Sequence, residues 1–234
     1  MKKIGILIFA AALVIGLVVA NMFSFGHTSG KVFNFSMNFG GVHGSGNVVS
    51  EKRDLSGFKA VDVSGVFQVE IVAQKEFSVE VVSDDNILPL ISTSVDDGTL
   101  RIECEKRIKS ASPVIVRISA PDIDNLQVSG AANVTLSGVK NPNLGINSSG
   151  AAKVTVSGET AKFAIDVSGA TKIFANDLKA VDANIDGSGA SYIETSVTGE
   201  LRSDLSGASR VVYSGSPSNV VTETSGASRV SQKQ

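Results

Sequence analysis

The tripeptide Ser-Gly-Ala returns six times in the second half of this chain at nearly constant intervals. The steps from one serine to the next are 20, 19, 20, 18 and 19 residues. A fixed period of this size is typical of solenoids, in which each repeat forms one coil and neighbouring coils bury a shared core. The six copies begin at Ser129, Ser149, Ser168, Ser188, Ser206 and Ser225.

Apolar and polar residues alternate inside each repeat. In the first copy Leu126 and Val128 precede the glycine and Val134 and Leu136 follow it, with polar Gln127 and Thr135 between the members of each pair. A period of two predicts short strands with one buried face, not a helix. We therefore predict an all-β fold, a right-handed parallel β-helix with coils of about 19 residues.

The glycine of each repeat is predicted to form a corner between two strands. Glycine tolerates a positive φ and leaves room for the backbone of a neighbouring coil. We predict that the alanine after it is a small side chain that points inward. The corner glycines are Gly130, Gly150, Gly169, Gly189, Gly207 and Gly226.

The composition narrows the functional classes. The net charge of −2 gives no broad positive field, so nucleic acid is not an expected partner. One cysteine excludes an intramolecular disulfide, and two histidines and one cysteine provide no zinc-ligand spacing. Both histidines precede the repeats, so the repeated serines have no nearby base to activate them. We predict no metal and no cofactor.

An uncharged run at 4–20 follows Met1, Lys2 and Lys3 and predicts an N-terminal hydrophobic helix. Its length allows either a cleaved signal peptide or a retained membrane anchor, and both alternatives remain open. In either case the remainder is expected to be exported to the periplasm or cell surface. Retention would hold the protein on the inner membrane.

The chain is predicted to have four parts. Residues 1–22 are the signal peptide or anchor, and 23–45 form a flexible linker rich in Gly, Ser, Asn and Phe. Residues 46–125 are strand-rich but irregular and form the N-terminal part of the solenoid. Residues 126–234 form its regular Ser-Gly-Ala coils.

Two columns of polar side chains flank the corners and form a candidate binding face. The column two residues before each serine should project outward from successive coils, and so should the column four residues after it. A solvated charge ladder is the alternative, with acids and bases offsetting each other across the corner. A calcium site is a further alternative, although the spacing matches no known calcium loop. The candidate residues are Asp166, Asp186, Asp204 and Glu223 before the corner, and Lys153, Lys172, Tyr192, Arg210 and Arg229 after it.

The order of motifs along the chain also carries a family likeness. Gly44-Ser45-Gly46-Asn47-Val48 comes first, a strand-like run from Leu55 to Ile71 follows, and Asp97-Gly98-x-Leu100-x-Ile102 precedes the coils. Over about residues 46–230 this resembles the bacterial head GIN domain family of autotransporter adhesins. The resemblance implies an exported β-helical domain and supplies no catalytic residues.

We predict from these features a non-enzymatic cell-envelope protein, an adhesin that presents a repetitive polar face to a glycan or an envelope protein. A periplasmic scaffold or envelope sensor is the first alternative. A carbohydrate-active enzyme built on the loops at 84–112 is the second, although the uniform coils offer no walled cleft. The oligomeric state stays open at this point.

Overall fold

The computed structural model describes residues 41–110 and 112–233. The predicted hydrophobic helix at 4–20 and most of the predicted linker lie outside the described residues. Nowhere in the described part is there a helix both long and apolar enough to cross a bilayer. The helix found there is a single 3-10 turn, Leu88–Leu90.

About two thirds of the described residues lie in β-strands, and the only helix among them is the 3-10 turn, which confirms the predicted all-β class. The strands are β1 (Val42–His43), β2 (Val48–Arg53), β3 (Ala60–Gly65), β4 (Gln68–Ala73), β5 (Ser78–Asp84), β6 (Ile91–Asp96), β7 (Thr99–Cys104), β8 (Ile108–Lys109), β9 (Ile115–Ala120), β10 (Asn125–Gly130), β11 (Asn133–Gly150), β12 (Lys153–Gly169), β13 (Lys172–Gly189), β14 (Tyr192–Val197), β15 (Glu200–Leu205), β16 (Arg210–Ser214), β17 (Asn219–Thr224) and β18 (Arg229–Gln232).

The strands stack into two faces that meet at the glycine corners. The pre-corner face has the order β6-β7-β3-β10-β11-β12-β13-β15-β17. The post-corner face has the order β2-β5-β9-β4-β11-β12-β13-β14-β16-β18. The long strands β11, β12 and β13 run from the post-corner face of one coil to the pre-corner face of the next. All pairing between regular coils is parallel, so the fold is a parallel β-solenoid.

Alternate side chains of both faces point into one continuous core, as the period of two predicts. The prediction for the corner alanine is wrong. Ala151 and Ala170 are exposed, and the residue after each of them, Ala152 or Thr171, is buried. The alternation that places Val154 and Val156 inside continues back to Ala152, so Ala151 must face out.

At the N-terminal end of the solenoid the strands do not stack in the order of the sequence. Strands β7 and β9 lie beneath β3 and β4, although they come later in the sequence. Beyond them β6 pairs antiparallel with β7, and β5 pairs antiparallel with β9 and with β2. A tight turn at Asp97 and Gly98, both with positive φ, joins β6 to β7. The change to antiparallel pairing closes this end of the solenoid.

The other end is open. Strands β17 and β18 form its edges, and within the described residues neither pairs with a further strand. Val220 and Val221 are 39% and 40% exposed there. Polar Thr222 and Thr224 occupy the inward positions that Ser203 and Leu205 take one coil earlier, which makes the exposed end less apolar.

Candidate functional site

Each glycine corner fixes the position of the candidate residues on either side. All six predicted corner glycines have a positive φ, between 72° and 131°, and Gly65 continues the column with a φ of 139°. Each corner alanine donates its amide hydrogen to the glycine carbonyl of the preceding coil, for example from Ala170 N to Gly150 O at 2.7 Å. A column of glycines therefore runs along the solenoid as a common edge of the two faces.

The acidic candidates form a ladder on the pre-corner face. Asp166 pairs in register with Asp186, Asp186 with Asp204, and Asp204 with Glu223. Neighbouring rungs are therefore separated by the strand spacing of about 4.8 Å. All four side chains are exposed. In the described part of the chain, His, Cys, Asp and Glu form no group of three that could hold a metal ion.

The basic candidates form a second ladder, on the post-corner face. Lys153, Lys172, Tyr192, Arg210 and Arg229 follow one another in register. The four cationic side chains are exposed and Tyr192 is half-buried. Two aromatic rings lie on the same face. The ring centroids of Phe174 and Tyr192 are 6.1 Å apart. Lys153 Nζ lies 5.5 Å from the centroid of the Phe174 ring, within range of a cation–π interaction.

Between described residues the two ladders form no direct ion pairs across the corner, and the solvated charge ladder stays an alternative. Between described residues, the ion pairs of the regular coils join side chains of other columns. Lys179 pairs with Glu159 and Arg202 with Glu200, at 3.4 and 3.0 Å. The reason is geometric, since the strands before and after a corner belong to different faces and their outward side chains point away from each other.

Charge is consequently separated between the two faces. From residue 143 onward the pre-corner strands carry six carboxylates, those of Asp166, Asp182, Asp186, Glu200, Asp204 and Glu223, against two cations, Lys162 and Arg202. Over the same coils the post-corner strands and the residue that follows β18 carry five cations, Lys153, Lys172, Arg210, Arg229 and Lys233, against two carboxylates, that of Glu194 and, at the end of the post-corner part of β13, that of Asp177. A chain with a net charge of only −2 thus has one acidic and one basic face.

Glu194 is engaged by its neighbours on the basic face. Its carboxylate accepts a hydrogen bond from the Tyr192 hydroxyl at 2.6 Å and one from Asn176 Nδ2, and Lys233 Nζ lies 3.8 Å away. The bond from Tyr192 is the main reason that the pKa of Glu194 lies below its ordinary value, and Asn176 and Lys233 lower it further. The same hydrogen bond raises the pKa of Tyr192.

We expect removal of the Tyr192 hydroxyl to raise the pKa of Glu194. A carboxyl with a lowered pKa stabilises the fold above its unfolded pKa, and this stabilisation is lost as the pH falls through the folded value. The melting temperature of the wild type should therefore fall between about pH 5 and pH 3, by more than the other acidic groups alone would cause. NMR titration of Glu194 in Tyr192→Phe checks the pKa directly, and Glu194→Gln should remove this contribution from the melts. An unchanged titration in Tyr192→Phe would refute the assignment.

Two contributors to the basic face were not found from the sequence. Phe174 and Glu194 occupy the outward column two residues after the basic ladder, where the other coils have Thr155, Val212 and Ser231. The column varies in chemical type, so no repeated pattern marks it. Alternation alone, counted two positions beyond Lys172 and Tyr192, would have placed both side chains on the outer surface.

The comparisons with known proteins agree with this fold. Residues 57–217 match the model of a family described as "Putative auto-transporter adhesin, head GIN domain". This covers well over half of the chain and includes both ladders except for Glu223 and Arg229. No curated protein matches the chain.

Several solved structures share the architecture. A putative adhesin from Bacteroides fragilis has a TM-score of 0.68 at 19% identity, over 82% of this chain and 100% of that one. A putative lipid binding protein from Parabacteroides distasonis has a TM-score of 0.52 at 15% identity, over 83% and 100%. A putative adhesin from Parabacteroides merdae has a TM-score of 0.50 at 19% identity, over 82% and 99%. At these identities the likeness shows the fold alone.

Proposed function

Because the chain belongs to the head GIN domain family of putative auto-transporter adhesins, we propose that it is a cell-envelope adhesin that binds an anionic glycan. The family indicates a cell-envelope or surface location. The basic ladder carries the proposal, since Lys153, Lys172, Arg210 and Arg229 are exposed and make no ion pair within the described residues.

The chemistry of this face fits a linear polymer that bears carboxylate or sulfate groups. Lysine and arginine donate charge-assisted hydrogen bonds to such groups. The rings of Phe174 and Tyr192 offer apolar surface between the cations. A polymer lying along the solenoid axis would meet several rungs at once, and weak contacts at successive rungs add when they are joined in one ligand.

We infer that the protein acts by binding and not by catalysis. The corner serines lack a histidine partner in the coils, and Ser129 Oγ instead donates to Ser64 Oγ at 3.1 Å. Incubation of the purified protein with polyuronates should leave their chain length unchanged, as measured by size-exclusion chromatography. Shortening of the polymer would contradict this inference.

We also infer export, directed by the hydrophobic segment at 4–20. The expected result in intact cells is protection of the solenoid from external protease if it is periplasmic, and digestion if it is on the surface. A solenoid recovered in the cytoplasmic fraction would overturn the proposal of an envelope protein.

Binding to polygalacturonate tests the ligand class. We expect saturable binding to the immobilised polyuronate, weakened by about tenfold or more in Lys172→Glu/Arg210→Glu, because two of the four cationic rungs are reversed. Neutral dextran is the ligand control, and Lys140→Glu, on a connecting stretch between the two faces, is the matched protein control. Equal binding of dextran and polygalacturonate would overturn the charge-based proposal.

A further inference from the structure

The acidic and basic ladders are complementary to each other as well as to external ligands. Both are exposed, both consist of rungs one coil apart, and no direct ion pair joins them within the described chain. Their rise is identical because the same stack of coils produces both. An external polymer would have to match this spacing, whereas a second copy of the chain has it already.

The position of each ladder relative to the corner is also the same. Asp166 lies three residues before Gly169, and Lys172 lies three residues after it. The same relation holds for Asp204 and Arg210 about Gly207. The two ladders therefore run at about equal distances from the glycine edge, one on each of the faces that meet there. A second copy with its solenoid axis aligned to the first can therefore place its acidic ladder over the basic ladder of its neighbour, rung for rung.

The surroundings of the acidic ladder leave it accessible. The corner serines lie two residues to one side, and Gly145, Ala164 and Asn184 occupy the adjacent outward column on the other side. Gly145 and Ala164 are short and leave Asp166 exposed. Asn184 Nδ2 donates a hydrogen bond to Asp186 Oδ2 at 3.2 Å, and Arg202 continues the column beside Asp204, yet Asp186 and Asp204 both remain exposed. The lysine and arginine side chains of the opposing face are long enough to reach such carboxylates.

We propose that copies of this chain associate side by side, with the acidic ladder of one copy on the basic ladder of the next. The contact joins different surfaces of the two copies, so each copy keeps a free ladder of either sign. A heterologous contact of this kind generates a ring or an open row, according to the rotation between neighbouring copies. This association goes beyond glycan binding and competes with it, because both use the basic face.

Carbodiimide coupling of the full-length chain in its native cells tests the contact, since this reagent joins a carboxylate to an amine that touches it. We expect a series of dimers, trimers and larger species on denaturing gels, with Asp166 or Asp186 joined to Lys153 or Lys172 in the cross-linked peptides. Lys153→Arg/Lys172→Arg keeps the charge, so it should abolish these links without abolishing association. Links elsewhere on the chain, or none in the wild type, would overturn the proposal.

Co-purification of two differently tagged full-length copies provides the charge test. Lys172→Glu/Arg210→Glu and Asp186→Lys/Asp204→Lys should each lower recovery of the second tag by about tenfold when present in both copies. Combining one basic-face variant with one acidic-face variant should restore recovery, because each then meets a complementary surface. If single variants and the combination behave alike, the proposal fails. If the wild-type protein is monomeric and still binds polygalacturonate, this inference is wrong and the glycan proposal is unaffected.

Discussion

Replacing Ala152 with Asp should destabilise the protein by about 3–5 kcal/mol, because it places an unpaired carboxylate in the core. Ala152 is 3% exposed and belongs to the hydrophobic cluster shared by both faces. The melting temperature should fall by about 10 °C, as expected for a chain of this size. Differential scanning fluorimetry of the wild type and variant measures this directly.

The adjacent residue is the matched control. Ala151 is exposed and contributes its backbone amide, not its methyl group, to the corner. Ala151→Asp should therefore change stability by less than about 0.5 kcal/mol. Ala152→Ser should also be tolerated, because Ser191 and Ser209 occupy the equivalent inward position in later coils. Equal losses for Ala151→Asp and Ala152→Asp would mean that the inward and outward columns are assigned wrongly.

Replacing Gly169 with Ala should be the other highly damaging change, at about 3 kcal/mol or more. The φ of Gly169 is +111°, which residues with a Cβ rarely adopt. A Cβ there would lie 2.5 Å from the Gly150 carbonyl oxygen and 3.0 Å from its nitrogen. The coil cannot move away without breaking the bond from Ala170 N to that same oxygen.

Gly145→Ala is the control for this corner substitution. Gly145 lies in a strand outside the positive-φ region, and the nearest atom to an added Cβ is the tip of the Asn125 side chain, at 3.1 Å. Its partner in the next coil, across the strand pair, is already alanine, Ala164. Chemical denaturation should show Gly145→Ala to be neutral or stabilised by about 0.4–1 kcal/mol, through a less flexible unfolded chain. A loss as large as that of Gly169→Ala would show that the corner geometry is not the cause.

The regular coils could be predicted from the sequence because the residues that define each strand and corner lie within a single repeat. Alternation of residues such as Leu126 and Val128 gives strands, and the repeated glycines mark corners that only glycine can occupy. The same alternation, followed one residue further, would have corrected the placement of Ala151. The handedness predicted for the helix and the binding role of the ladders stay predictions.

The closed end was not predictable in the same way. Nothing within β7 or β9 specifies that they lie beneath β3 and β4, since parallel pairing across 30 or more residues depends on the whole packed core. The absence of ion pairs across the corner was missed for a related reason. Sequence spacing gives the distance of Asp166 and Lys172 from Gly169, but not the angle at which the two strands leave it.

The glycine corner makes each regular coil interchangeable with its neighbours. The bonds from Ala151 N, Ala170 N and Ala190 N to the preceding glycine carbonyls are all 2.7–2.8 Å, so every coil provides the same acceptor to the next. Duplication or loss of one repeat in the gene would lengthen or shorten the protein by a single step of about 4.8 Å without requiring a new kind of junction. Unequal recombination between such repeats would therefore change the length of the solenoid in discrete increments.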